Sequence, residues 1–303
     1  MRVEQKMQKV LYVEDHFPDA RLVKELMVDV EVNPFQIEHV DTVHKAMQRL
    51  SQEEYQVILL DMSLPDGSGI SMIQRVISAN PGIPVVVFTG TDDKEVALDA
   101  LGVGAQDYLV KGSVNGELLV RSLNYAVERA QSERRMRFLA THDTLTELPN
   151  RTLFFDRMKQ AIHRAVRQGI QFALILLDLD GFKEINDRMG HQQGDKVLKI
   201  AAQRMKGSLR ASDTIARWGG DEFAVVVEGN PSRDESLVVA ERLRRSLTGT
   251  ILLLEEEWEL RASFGISHFP DHGSTIDELI KHADEAMYHA KEHTLGIFCY
   301  GDG

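Results

Sequence analysis

Cysteine is almost absent from this sequence: Cys299 is the single one among 303 residues. A lone thiol excludes an internal disulfide and suits a reducing compartment. No apolar run approaches the roughly 20 residues of a membrane-spanning helix, and the N-terminus, with Glu4 and no apolar core, does not read as a signal peptide. A cytoplasmic protein with no membrane partner is expected. Positive charge is also short, since 35 Lys and Arg stand against 47 Asp and Glu, giving a net charge of -12 and a pI of about 5.4. That balance argues against a nucleic-acid partner, whose backbone needs a basic face, so any polyanion must be bound locally. Internal repeats and low-complexity tracts are missing too. What is present is 43% hydrophobic residues on a chain long enough for two domains with separate cores.

From Val10 the chain alternates strand patterns (10–13, 35–40, 57–60, 85–89, 108–110) with helix patterns (21–28, 42–50, 69–78, 93–101 and from Glu117 onward). Five such units predict an open parallel sheet with helices on both faces and a ligand site at the carboxyl ends of the strands. Glu14 and Asp15 follow the first strand, Asp61 the third, Thr89 the fourth and Lys111 the fifth, so all converge on one rim. Converging acids bind a cation or shift their pKa values, because like charges repel. Taken singly, each residue is an ordinary turn or cap residue; together, at these strand ends, they point to chemistry. This constellation resembles a receiver domain of two-component signalling. The resemblance implies a five-stranded sheet in flavodoxin-like order, with Asp61 accepting a phosphoryl group from a histidine kinase. It also implies Mg²⁺ held by Glu14, Asp15, Asp61 and the Ser63 carbonyl, phosphoryl contacts from Thr89 and Lys111, and Tyr108 as the switch aromatic. A carboxylate nucleophile, a metal and an opposed cation are what that transfer needs. Gly112 follows Lys111 where the family usually has proline.

Between Glu117 and Asp143 there is neither proline nor glycine, and apolar residues fall at Leu119, Leu123, Ala126 and Ala130, then Met136, Phe138 and Leu139. The spacing predicts one long helix leaving the first domain. Its charged middle is a solvated face, and the helix is a rigid arm that could pair with its copy in a homodimer. The expected organisation is residues 1–116, a helical linker 117–142, and a second domain 143–303.

In the second half, Gly219-Gly220-Asp221-Glu222-Phe223 interrupts two strand patterns, 214–218 and 223–227. Gly219-Gly220 are expected in the two-residue turn that needs positive φ, pushing Asp221 and Glu222 to the rim. A second acidic rim, Asp178 and Asp180, follows the apolar run 172–177, a buried central strand. Two strand ends bearing Asp can share a divalent cation. Around them the pattern predicts helices at 151–167 (Asn150 the cap, Gly169 the end), from Phe182, from Asp195 to about Leu209 after a loop at Gly190-His191, at 234–247 and at 276–291. Strands are expected at 260–266 and 297–300. An antiparallel sheet covered by helices on one face, an α+β arrangement like a polymerase palm, fits this order.

The hairpin, with residues 143–151 (DTLTELPNR), 178–187 (DLDGFKEIND), Gly190-His191 with Gly194-Asp195, and Ala283-Asp284 through Ala290-Lys291, resembles the GGDEF family of diguanylate cyclases. The resemblance implies condensation of two GTP into cyclic di-GMP and pyrophosphate by a dimer. It assigns Asp178, the Leu179 carbonyl and Asp221 to Mg²⁺ or Mn²⁺, hard ions suited to oxygen donors. Asp221, then Glu222, would assist deprotonation, and Lys183 would stabilise the reacting phosphoryl group. The Gly181 and Phe182 amides and Lys291 would face the triphosphate, with His191 near ribose or phosphate. Asn186 and Asp195 would read guanine, Asp195 favouring GTP because a carboxylate accepts from guanine N1 and N2 but meets a lone pair on adenine N1. Arg210 and Asp213 match an RxxD site through which family members bind their product as inhibitor. Leu295 stands where the family has a phosphate-binding arginine, which leaves as alternative a catalytically weak domain acting as a GTP or cyclic di-GMP receptor.

Overall fold

The computed structural model describes residues 7–90 and 94–302. Two compact units divide at Met136/Arg137.

In the first unit β1 (Gln8–Val13), α1 (Phe17–Val28), β2 (Phe35–Val40), α2 (Val43–Gln52) and β3 (Val57–Asp61) lead to a small hairpin of β4 (Ser63–Leu64) and β5 (Gly67–Ser68). Then come α3 (Gly69–Ala79), β6 (Val85–Thr89), α4 (Lys94–Gly102), β7 (Asp107–Val110) and α5 (Gly116–Thr141). The five long strands pair in parallel in the order β2-β1-β3-β6-β7, the flavodoxin-like order expected. In β3, Ile58 and Leu60 pack into one core while Val57 and Leu59 pack into the other. An apolar run without alternation therefore reflects helices on both faces, and each fully buried Leu or Ile contributes roughly 2 kcal/mol of transfer free energy. Helix α1 begins four residues before the sequence pattern suggested, because Pro18 presets the first turn. The expected start of the fourth helix, Asp93, lies outside the described residues.

Helix α5 is two-sided only in part. Leu119, Leu123, Ala126 and Ala130 are buried in the first unit, whereas from Gln131 to Ala140 nearly every residue is exposed, including Met136, Phe138 and Leu139. No described helix is long and apolar enough to cross a membrane.

The second unit runs α6 (Arg151–Gln168), β8 (Phe172–Leu179), α7 (Phe182–Met189), α8 (His191–Ser208), β9 (Thr214–Gly219), β10 (Glu222–Val227) and α9 (Arg233–Leu247). It continues with β11 (Thr250–Leu253), β12 (Glu256–Glu259), β13 (Ala262–Phe269), α10 (Ile276–Glu292) and β14 (Ile297–Cys299). The main sheet has the order β14-β13-β8-β10-β9. The Asn150 side chain accepts from the Leu153 amide at 3.1 Å, capping α6 as expected.

Four sequence expectations are corrected. The sheet is not wholly antiparallel, since β14 pairs in parallel with β13. Nor are the helices on one face: Ala173, Ile175 and Leu177 of β8 pack under α8 and α9, while Phe172, Leu174 and Leu176 pack under α6 and α10. The unbroken apolar run of β8 already demands cover on both sides. Gly190 caps α8, which starts at His191 rather than Asp195. The hairpin turn is Gly220-Asp221, not Gly219-Gly220, because Gly219 pairs with Glu222 and only Gly220 of the two glycines has positive φ, at 54°. A bulge between Glu222 and Phe223 absorbs the offset.

Candidate active site

Each unit carries an acidic rim at its strand ends. In the first, Glu14, Asp15 and Asp61 place carboxylate oxygens within 4.8 Å of one another. Glu14 is fully buried and accepts from the Tyr12 hydroxyl and the His16 amide, both at 3.0 Å. The Lys111 ammonium closes the cluster, 2.5 Å from Glu14, 2.9 Å from Asp19 and 3.1 Å from Asp61. Burial alone would lower the Lys111 pKa, but its hydrogen bonds to Glu14 and Asp19 and the charges of Asp61 and Glu14 outweigh it and hold it above the usual lysine range. Burial, then Glu14, pushes Asp61 up against the opposing pull of Lys111. Asp19, in the first turn of α1, was not found in the sequence; its partner lies 92 residues away.

The other receiver residues are near but not all engaged. Ser63, expected through its carbonyl, instead donates its amide to Asp61 at 3.3 Å. Thr89 is buried at the end of β6 and its carbonyl accepts from the Lys111 amide at 2.8 Å. Tyr108 is half-buried on β7 against the α3-side core, with its backbone opposite Val87. The tight oxygen cluster fits a hard divalent cation.

In the second unit the pleat sets the geometry. Asp178 and Asp180 continue the parity of Leu174 and Leu176, so they emerge on the α10 face, where Lys291 pairs with Asp178. Asp180 accepts from Ser263 Oγ at 3.0 Å. Glu222 lies opposite Asp178 in the β8–β10 register, and the Leu179 amide donates to the Asp221 carbonyl at 3.3 Å. Burial first, and the Asp178 charge second, push both Asp221 and Glu222 above the usual carboxylate range. Asp221 makes no side-chain hydrogen bond among the described residues. Acids that repel one another at a half-buried rim fit a divalent cation, which relieves that repulsion.

Beside this rim, left-handed Gly181 caps α7. The Gly181, Phe182 and Lys183 amides have no backbone partner among the described residues, so three donors face outward at a helix start. Lys183 and His191 are exposed. Asn186 and Asp195 meet where α7 and α8 approach closely. A Cβ at Gly194 would lie 2.1 Å from Asn186 Oδ1, so glycine is what allows that approach. Sequence reading quoted Gly194 without finding this role. Two arginines were also missed: Arg244 and Arg261 line a cavity of about 520 Å³ with Asp180, Ser263, Lys291 and Leu295. Leu295 offers that wall no charge. Arg210 and Asp213 form a tight turn between α8 and β9, with the Asp213 carboxylate accepting from the Arg210 amide at 3.1 Å. Finally, Arg217 joins Asp143 at 3.1 Å and donates to the Gly220 carbonyl at 2.8 Å, fixing the hairpin tip to the start of the unit.

Comparison with known proteins agrees with this division. The model described as response regulator receiver domain matches residues 10–123, and that described as diguanylate cyclase, GGDEF domain, matches residues 140–295. The bifunctional diguanylate cyclase/cyclic di-GMP phosphodiesterase MucR of Pseudomonas aeruginosa is 40% identical over 192 residues, covering 63% of this chain and 28% of MucR. Response regulator PleD of Caulobacter vibrioides is 33% identical over 236 residues, covering 75% of this chain and 52% of PleD. A solved structure of the GGDEF domain of TpbB from Pseudomonas aeruginosa superposes with a TM-score of 0.51 at 40% identity, covering 52% of this chain and 94% of that one. The chain thus spans between about a quarter and about half the length of these two full-length relatives. The two matches lie in tandem, each on one of the acidic rims just described, and the chain belongs to the GGDEF family, with a response regulator receiver domain ahead of its GGDEF domain.

Proposed function

We propose that this chain is a diguanylate cyclase controlled by phosphorylation of its receiver domain. The observation that carries the reading is the meeting, at one end of the second sheet, of a repelling carboxylate rim (Asp178, Asp221, Glu222) with the outward amides of Gly181, Phe182 and Lys183. Mg²⁺ or Mn²⁺ held by Asp178, Asp221 and the Leu179 carbonyl would supply neutralising charge to the triphosphate. The α7 amides, Lys183 and Lys291 bind phosphate oxygens, which requires Lys291 to exchange Asp178 for substrate. Asn186 and Asp195 hold guanine, and His191 lies on the ribose side. Asp221, with its raised pKa, takes the proton from the 3′-hydroxyl, with Glu222 in reserve. That hydroxyl attacks the α-phosphorus of a second GTP and expels pyrophosphate. Each domain binds one GTP, so two must face each other in a homodimer.

The receiver supplies control. A histidine kinase phosphorylates Asp61, the added charge draws Lys111 and Thr89, and the exposed apolar end of α5 pairs with its copy. Cyclic di-GMP binds Arg210 and Asp213 and slows the enzyme. A second reading, a weak domain that acts as a nucleotide receptor, is favoured by Leu295 at the wall of the phosphate-side cavity. Incubating the purified chain with GTP and Mg²⁺ and resolving the products by chromatography separates the two. The first reading expects cyclic di-GMP from wild type and a loss of at least about a hundredfold in Asp221→Ala. Bound but unconverted GTP would establish the second.

A further inference from the structure

At the end of the second sheet away from the carboxylate rim, β13, β14 and the turn after β13 bring together His268, His272 and Cys299. One ligand atom from each lies within 4.8 Å of the others. His268 and Cys299 are buried and His272 is half-buried.

The hydrogen bonds set both imidazole tautomers. Ser236 Oγ donates its only proton to the Ser232 carbonyl at 2.9 Å, so toward His268 Nε2, also at 2.9 Å, it can only accept. The His268 proton therefore sits on Nε2, and Nδ1 presents its lone pair 3.7 Å from Cys299 Sγ. His272 Nδ1 accepts from the His268 amide at 3.1 Å, so its lone pair is on Nδ1 too. Burial depresses the His268 pKa to about 4, which keeps this imidazole neutral, the form that ligates.

Two neutral imidazoles and a thiol are a nitrogen and sulfur donor set, which borderline ions prefer and hard ions do not. With metal–nitrogen bonds of about 2.0 to 2.1 Å and a metal–sulfur bond of about 2.3 Å at a tetrahedral angle, nitrogen and sulfur stand roughly 3.5 Å apart. The observed 3.7 Å needs almost no adjustment. The Ser236 contact is the outer-shell oxygen that orients a metal-bound imidazole. Burial raises the Cys299 thiol, but Arg233 beside it favours the thiolate, while Asp271 acts on both histidines with opposite charge.

We propose that His268, His272 and Cys299 bind a divalent transition metal of the zinc class, releasing the thiol proton to solvent and fastening the short edge strand β14 to β13. Because Cys299 is the only thiol in the chain, cobalt reports on this site alone. Untagged full-length protein is titrated with Co²⁺ in excess Mg²⁺, which fills the carboxylate rims. A thiolate-to-cobalt charge-transfer band should grow to one Co²⁺ per chain, be displaced by Zn²⁺ and be absent in Cys299→Ser. The partly exposed His272→Ala should keep its fold and bind at least about tenfold more weakly. The absence of a band in folded wild type overturns the proposal, as does a band whose affinity is the same in His272→Ala. Thermal unfolding gives an independent reading: saturating Zn²⁺ should raise the Tm of wild type above that of chelated protein, and an equal rise in the His272→Ala, His268→Gln double variant would count against the site.

Discussion

The two acidic rims are built from the same residue types and behave differently. In the receiver, Glu14 and Asp61 are buried and Lys111, only 15% exposed, is held by three carboxylates at once. In the GGDEF domain, Lys291 holds Asp178 alone, is 49% exposed, and leaves Asp221 and Glu222 repelling one another. A closed cluster of that kind accepts one small charged group and must rearrange to do so. An open rim with outward amides and a neighbouring cavity accepts a ligand the size of a nucleotide. The difference is one of satisfaction: the receiver spends its cation internally, and the cyclase domain keeps donors and charge for substrate.

Five experiments would break or sharpen this contrast. The largest effect is all-or-none. Beryllofluoride, a phosphoryl mimic, should raise dimer population and specific activity together in wild type, and neither in Asp61→Asn. Inserting one to seven residues after Ala130 turns the exposed part of α5 by about 100° per residue, so activation should rise and fall with insert length. An equal response at every length would make the helix a passive tether.

Next is stability. Lys111→Met leaves Glu14 and Asp61 buried without their cation and should cost the receiver about 3 kcal/mol in metal-free urea unfolding, whereas Lys291→Met should cost the second unit under about 1 kcal/mol. Comparable losses would erase the contrast. Gly194→Ala forces Asn186 aside and should raise the KM for GTP about tenfold, roughly 1.4 kcal/mol, with little change in kcat. An unaltered KM would remove Asn186 from the base site.

A few-fold effect is expected at the RxxD turn, where changing both Arg210 and Asp213 to Ala should abolish the slowing of the enzyme as cyclic di-GMP accumulates. Unchanged inhibition would leave the turn a structural cap. The smallest effect is on the surface: hydrogen bonds from Arg244 and Arg245 depress Glu241 to about 2, below its ordinary 4.5. Its contribution is present above pH 4.5 and is lost as pH falls from there through about 2. Being partly exposed and screened, it should amount to under about 1 kcal/mol, read as a shallower acid limb in Glu241→Gln.

By itself the sequence determined the element order, the two cores and the acids at the strand ends. Apolar periodicity and turn residues are local signals that burial obeys, and Asp61 or Asp178 stands where an apolar run stops. It also carried the clue to helices on both faces of β8, in a run that never alternates. Only the tertiary structure decided which groups share a site across long separations. Asp19 reaching Lys111, Gly194 making room for Asn186, Arg261 and Arg244 flanking Asp180, and Ser236 fixing the His268 tautomer leave no mark in sequence spacing. Contact between elements distant in the chain depends on how helices and strands pack, and packing fixes distances and proton positions that no periodicity records.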